Sequence, residues 1–198
     1  MADFFDVVMR QRACRSYRED AVEDDLVEKV LDAATHAPSA ENRQPWVFVV
    51  VRDADLRRAI GSTMRSAWEE GGRAFSEGRL PPRLLDEVDR GAKGDIAAAP
   101  VLVVVCGDST RALELTLPSS VYLAAQNLLL AAGALGLGSA MTTLATVSPA
   151  PLQEILALPD HVRPMAVVPL GWPSHSLGRP RRLPAGELTF RDRYGNRW

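Results

Sequence analysis

Three apolar runs limit what this chain can fold into: residues 47–51, 100–106 and 165–170. Each is short, rich in valine and apolar at nearly every position, the pattern of a strand buried on both faces. Long helical stretches separate one run from the next, so no two are simple hairpin partners. Leu26, Val27, Val30, Leu31 and Ala34 recur at helical spacing, and Leu56, Ile60, Met64 and Trp68 step at four-residue intervals. Residues 121–135 are apolar nearly all round, which predicts a helix buried in a core or a subunit interface. Gln126 and Asn127 in its middle then need partners, across an interface or toward a cofactor edge. On residues alone, strands alternating with helices suggest an open α/β sheet.

Local signals fill in the rest. Phe4, Phe5, Val7, Val8 and Met9 suggest a short first helix, and Asp20-Ala21-Val22-Glu23 reads as a capping box. Asp53 is placed to cap the helix that follows it. Ser148-Pro149 reads as N-cap and N1 of a helix running through Leu156. Between Gly71 and Gly94 the pattern dissolves, apart from a short helix around residues 84–88. Residues 187–194 read as an edge strand. His36, in the last turn of its helix, reads as structural.

Composition excludes several classes. With 198 residues, 46% hydrophobic, 24% charged and a net charge of −2, the chain reads as one globular domain. That charge argues against dominant attraction to nucleic acid or anionic membrane, although the tail from Arg179 is locally basic. A nucleic-acid surface built on the tail would want interleaved aromatics on a basic face, which are missing. Only Cys14 and Cys106 occur, with no CxxC, so no metal site is expected and a reducing cytoplasm suits the chain. There is no signal-peptide pattern, and residues 121–135 fall short of the roughly 20 that span a bilayer.

Two stretches carry chemistry. The first is Ala37-Pro38-Ser39-Ala40-Glu41-Asn42-Arg43-Gln44-Pro45-Trp46. Pro38 cannot continue the preceding helix, and Pro45 pushes Gln44 toward extended geometry. Ser39, Asn42 and Gln44 between them are short-range hydrogen-bonding residues, so the turn is rigid; an ordinary loop anchored by Trp46 fits the same pattern. The second is Arg10-Gln11-Arg12-Ala13-Cys14-Arg15-Ser16-Tyr17-Arg18, with four arginines in nine residues. It reads as an anion site or as a solvated basic loop. Gly136-Leu137-Gly138-Ser139 follows a helix instead of a strand and lacks a third glycine, so it reads as a helix stop and not a dinucleotide fingerprint.

Pro-Ser-x-x-Asn-x-Gln-Pro-Trp, the basic stretch, Gly136–Ser139 and the end of the chain together resemble the FMN-dependent nitroreductase family. The resemblance implies an α+β fold, a mixed β-sheet flanked by helices, over a single domain of residues 1–198. It implies a homodimer with two flavins at the subunit boundary, residues 71–99 as a lid-like excursion, and residues 174–198 as an extended tail reaching the partner. It places Gln11, Arg12 and Arg15 at the FMN phosphate. Gln11 stands where arginine is usual, and Ala13 where serine is usual. Pro38, Ser39, Ala40 and Asn42 would face the partner's flavin, and Met141, Thr142 and Thr143 would run beside its ring. Arg182 would join the phosphate, with Arg181 and Arg179 as near alternatives, and Phe75 and Arg73 would be candidates for substrate contact. No catalytic side chain is named, because a flavin carries the electron chemistry and the protein binds and orients it. NAD(P)H would supply hydride, and a nitroaromatic, quinone or related electrophile would then take electrons in the same pocket. The alternatives are a flavin store or sensor without turnover, or dehalogenation or flavin destruction on the same fold.

Overall fold

A computed structural model describes residues 3–198. Its centre is β2 (Val101–Asp108), six of whose residues, Val101 to Cys106, are fully buried. Side chains alternate across a strand, so these six divide between the two faces of the sheet. Val101, Val103 and Val105 pack against α2 (Asp24–Thr35) and α6 (Leu117–Ala134). Leu102, Val104 and Cys106 pack against α3 (Ala54–Ala67) and α7 (Pro149–Ile155). The continuous apolar run is therefore the expected mark of a strand covered on both sides.

The sheet has the order β1-β2-β4-β3, with β1 at Trp46–Val51, β3 at Gly138–Ser139 and β4 at Val162–Gly171. Every pairing is antiparallel among the described residues, neither the open α/β sheet of the residue pattern nor a mixed one. The connections explain this. After β1 the chain leaves along α3 and returns through α4 (Arg73–Ser76) and α5 (Pro82–Arg90), re-entering the sheet where it left, with Val51 opposite Leu102. Asp108 lies opposite Val162 for the same reason, after α6 and α7. A single crossover helix would have made the strands parallel.

Some local expectations hold and some shift. α1 is Phe4–Arg10, and the Asp53 carboxylate accepts from Asp55 N and Leu56 N at 2.9 Å. α7 begins after Ser148 as expected, though the Ser148 side chain makes no capping bond. The capping box at residues 20–23 does not form. Val22 is buried in the core and Trp172 Nε1 donates to Ala21 O, which keeps this segment extended until α2 begins at Asp24. The edge strand at residues 187–194 is also absent. A short α8 (Ala185–Leu188) precedes a tight reversal through Asp192 and Gly195, both at positive φ, that brings Phe190 opposite Arg197. His36 closes α2, its Nδ1 2.8 Å from Asp32 O. Among the described residues, no helix is long and apolar enough to cross a membrane.

α6 ends in a Schellman motif. Gly136 sits at φ +81°, Leu137 N donates to Ala132 O at 2.9 Å and Gly136 N to Gly133 O at 3.1 Å. The opposite side of α6 from the core carries Tyr122, Leu123 and Gln126 at the surface, exposed among the described residues. Asn127 finds its partner inside the chain instead, donating to Ala33 O at 3.1 Å.

Candidate functional site

The basic stretch is drawn straight between two strand ends. Cys14 N donates to Ser139 O at 2.8 Å, Arg18 N to Trp172 O at 2.9 Å, and Ser174 N to Ser16 O at 3.1 Å. Gly138 permits the first contact, since a Cβ there would lie 2.6 Å from Cys14 Sγ. Tyr17, largely buried, donates its hydroxyl to Cys14 O, and burial raises its pKa well above the ordinary value, so it stays a neutral donor. Cys14 is fully buried, and burial raises its thiol too, which makes it a packing residue and not a nucleophile. Burial pushes Cys106 up to about 12.

With Cys14 pinned inward, Arg12 and Arg15 reach a shared cavity. Gln11, Arg12, Arg15, Met141 and Arg182 line a space of about 440 Å³, with Gln126 of α6 at its side. The tail is led there by two contacts: Arg12 Nη1 donates to Gly178 O at 3.1 Å, and Arg179 Nη2 lies 2.9 Å from Asp6 Oδ1. Arg181 does not line the cavity, and its carbonyl accepts from Arg182 Nη1. Arg15 is half-buried, and no hydrogen bond or ion pair holds its guanidinium among the described residues. Burial pulls its pKa below the usual value while Glu87 opposes this, and the group stays charged at any working pH. A half-buried cation without a protein acceptor suits an anionic ligand.

A second cavity of about 840 Å³ lies on the other side of Arg12 and Arg15. Its far wall is the polar face of α5, with Arg83, Glu87 and Arg90, and its rim includes His175 and Ser176. Sequence reasoning missed this wall. The signal was present in the charged pattern of residues 83–90, but nothing in the sequence says which loop that helix faces.

The turn at residues 38–45 forms a separate piece. Glu41, Asn42 and Gln44 have φ of +53°, +55° and +50°, a left-handed backbone that costs non-glycine residues energy and gathers at functional sites. Ser39 Oγ accepts from Gln44 N at 2.9 Å, Asn42 N donates to Ser39 O at 3.0 Å, and Ala40 N donates to Ser120 Oγ at 3.3 Å. Gln44 Nε2 donates to Asn42 Oδ1 at 3.3 Å, which leaves the Asn42 amide N–H groups turned outward on an exposed side chain. Pro38 is exposed beside it. Ser120 lies in the first turns of α6, whereas Gln126 and Leu129 border the arginine cavity, about 9–14 Å further along the axis. Within one chain the turn and the arginine cavity thus lie at different levels of α6.

The family model described as Nitroreductase family matches residues 8–172, most of the chain. The chain belongs to the nitroreductase family. It is 31% identical over 191 residues to an NADH dehydrogenase of Thermus thermophilus, covering 92% of each chain. It is 29% identical over 187 residues to an iodotyrosine deiodinase of Haliscomenobacter hydrossis, covering 87% of this chain and 80% of that protein. A nitroreductase from Desulfovibrio desulfuricans, solved in complex with FMN, superposes with a TM-score of 0.76 at 26% identity over 98% of this chain and 99% of that one.

The residues present fit FMN, the cofactor that this family membership implies. The phosphate end would find the cations Arg12, Arg15 and Arg182, and the pyrimidine edge would find the exposed amide of Asn42. The Thr142 N–H and carbonyl both pair with Val167 of β4, at 3.0 and 2.9 Å, which commits its backbone donor to the sheet. The N–H groups of Met141 and Thr143 have no partner among the described residues, so they are the donors this segment has to give. Thr143 lies not in the arginine cavity but on an apolar cleft of about 890 Å³ walled by Trp68, Gly72, Phe75 and Leu144. Phe75 is exposed there, with the Arg79 guanidinium 4.1 Å above its ring, whereas Arg73 is turned away to Asp89.

Proposed function

We propose that this chain is an FMN-dependent oxidoreductase that takes hydride from NAD(P)H and reduces a nitroaromatic, quinone or related conjugated electrophile in alternating half-reactions. The observation that carries the reading is Arg15, a half-buried cation, unpaired among the described residues, beside Arg12 and Arg182 in one cavity. Arg12, Arg15 and Arg182 hold the phosphate, and Gln11 closes the same wall. Pro38, Ser39, Ala40 and Asn42 act across a subunit boundary, because the chain itself separates them from that cavity along α6. The uncovered stripe of Tyr122 and Leu123 supports the same assembly, a homodimer with the tail laid on the partner. When bound, the flavin supplies the electron transfer, accepting hydride and passing electrons on. The protein orients it, and the donors on Asn42, Met141 and Thr143 favour negative charge on the ring edge. We place the enzyme in the cytoplasm, acting on small molecules.

The visible spectrum of the purified protein tests this first. A bound yellow chromophore that is released as FMN, bleaches with NADH or NADPH and recolours with a quinone is the expected result. A colourless protein sinks the reading, and a yellow one that does not bleach makes it a store or sensor. Reductive dehalogenation is the second reading, favoured by the likeness to a deiodinase. Halide release from a halogenated phenol under reducing conditions distinguishes it from quinone reduction.

A further inference from the structure

The α4–α5 segment walls both spaces next to the proposed cofactor site. Arg83 and Arg90 of α5 face Arg12 and Arg15, and Phe75 of α4 borders the apolar cleft with Thr143. The polar attachment of this segment runs through a single carboxylate. Asp89 Oδ1 accepts from Trp68 Nε1 at 2.9 Å and from Arg73 Nη1 at 2.7 Å, and Lys93 Nζ lies 2.9 Å from Oδ2. The Asp89 side chain is only 17% exposed, and Trp68 is buried at the end of α3. Among the described residues, every side-chain hydrogen bond or ion pair that ties residues 73–90 to the rest of the chain ends on Asp89. Beyond Lys93 the returning chain is held separately, by Arg57 on the carbonyls of Ala97 and Ala99 and by Arg65 on that of Lys93. Remove the Asp89 carboxylate and the start of the returning chain stays in place while α4 and α5 lose their polar attachment.

We infer that Asp89 is a positioning residue of this enzyme: by holding α4 and α5 to Trp68 it sets the width of the spaces through which donor and acceptor reach the cofactor. The inference rests on the reading of these cavities given above. Asp89 lines neither cavity, and its part is to fix Trp68, Arg73 and Lys93 relative to one another. It acts on substrate size and not on flavin affinity.

The test uses the full-length, flavin-loaded protein and Asp89→Asn, which keeps the size and one acceptor but removes the charge. Trypsin is expected to cut after Arg79 or Arg83 about tenfold faster, the factor that one lost charge-assisted hydrogen bond supplies. The preference in kcat/KM for a one-ring over a two-ring quinone is expected to narrow about threefold through KM, with kcat for the small quinone nearly constant. Asp89→Glu should restore most of both. Unchanged proteolysis in folded Asp89→Asn overturns the attachment, and faster proteolysis with unchanged preference overturns its role in the reaction. Should Asp89→Asn not fold, Trp68→Phe removes one donor and leaves the carboxylate, and it must shift both readouts in the same direction or the inference fails. In protein that binds no flavin the proteolysis arm still decides the attachment, so failure of the cofactor reading is told apart from failure of this one.

Discussion

Asn42 combines two constraints that one substitution would confound. Its backbone is left-handed at φ +55°, and its amide donors point outward because Oδ1 is held by Gln44. Asn42→Leu removes the donors and also strains the turn, since a leucine at that φ costs roughly 1–2 kcal/mol. Asn42→Gly removes the donors, together with the Gln44 contact, without straining the turn. Both are expected to weaken FMN binding, the glycine variant by roughly 1–3 kcal/mol of lost partner, and to lower the potential of the flavin that remains. A redox titration of Asn42→Gly that gives the wild-type potential would rule out the electrostatic role. At the other end of the cofactor, Arg15→Ala and Arg182→Ala should each cost about tenfold to a hundredfold in FMN affinity, and Arg181→Ala should cost nothing measurable by fluorescence titration. Ala13→Ser, adjacent to Arg12 and Arg15, should tighten binding modestly. Asp89 carries a pH prediction. Hydrogen bonds from Trp68, Lys93 and Arg73 lower its pKa to about 2, so its contribution, on the order of 2 kcal/mol, is complete above about pH 4 and disappears as pH falls through 2. Urea unfolding of wild type and Asp89→Asn should therefore differ at pH 6 and converge near pH 2. The chemical types at these positions were legible in the sequence; which of three tail arginines enters the cavity was not, because that depends on the tail's contacts with Asp6 and Arg12, far off in the chain.

At the scale of elements, the contact between β3 and the basic stretch is the joint on which the arginine cavity depends. Gly138→Ala drives a Cβ to 2.6 Å from Cys14 Sγ and 2.9 Å from Cys14 Cβ, a clash with no flexible side-chain end to yield. Overpacking of this kind costs typically 1–3 kcal/mol. Thermal melting should show the loss, and the displaced Arg12 and Arg15 should weaken FMN further than the stability change alone explains; Cys14→Ala in the same chain should recover part of both. The glycine pair was readable as a helix stop, and its first member is one. The second member's purpose, close passage of a cysteine, was not readable, since nothing local announces a neighbour more than a hundred residues away. Strands β1, β2 and β4 were legible because burial on both faces leaves an unbroken apolar run. Their antiparallel order was not, because alternation of strand and helix looks the same whether the helices between two strands make one pass or two. The capping box failed for a tertiary reason as well, the pull of Val22 into the core.

For the whole molecule, the uncovered side of α6 sets the assembly prediction. Leu123 is 46% exposed on the side of α6 that faces away from its buried residues. Leu123→Arg should yield a monomer by light scattering, and that monomer should lose its FMN because residues 38–42 no longer reach a partner. The order β1-β2-β4-β3 also has a kinetic consequence. The two pairings of long strands join segments some fifty residues apart in sequence, and the basic stretch near the start is bridged to Pro173 near the end. Loop closures of that span make folding slow, on the order of milliseconds to seconds for chains rich in non-local pairs. On the ribosome, at about 5–20 residues per second, residues 11–17 emerge many seconds before Trp172 to Ser174 exist to straighten them. Until β4 pairs, β1 and β2 form an apolar ribbon open at both edges, a template for unwanted strand pairing. The arginine cavity is among the last features the chain can complete, so flavin enters a nearly finished protein and does not template it.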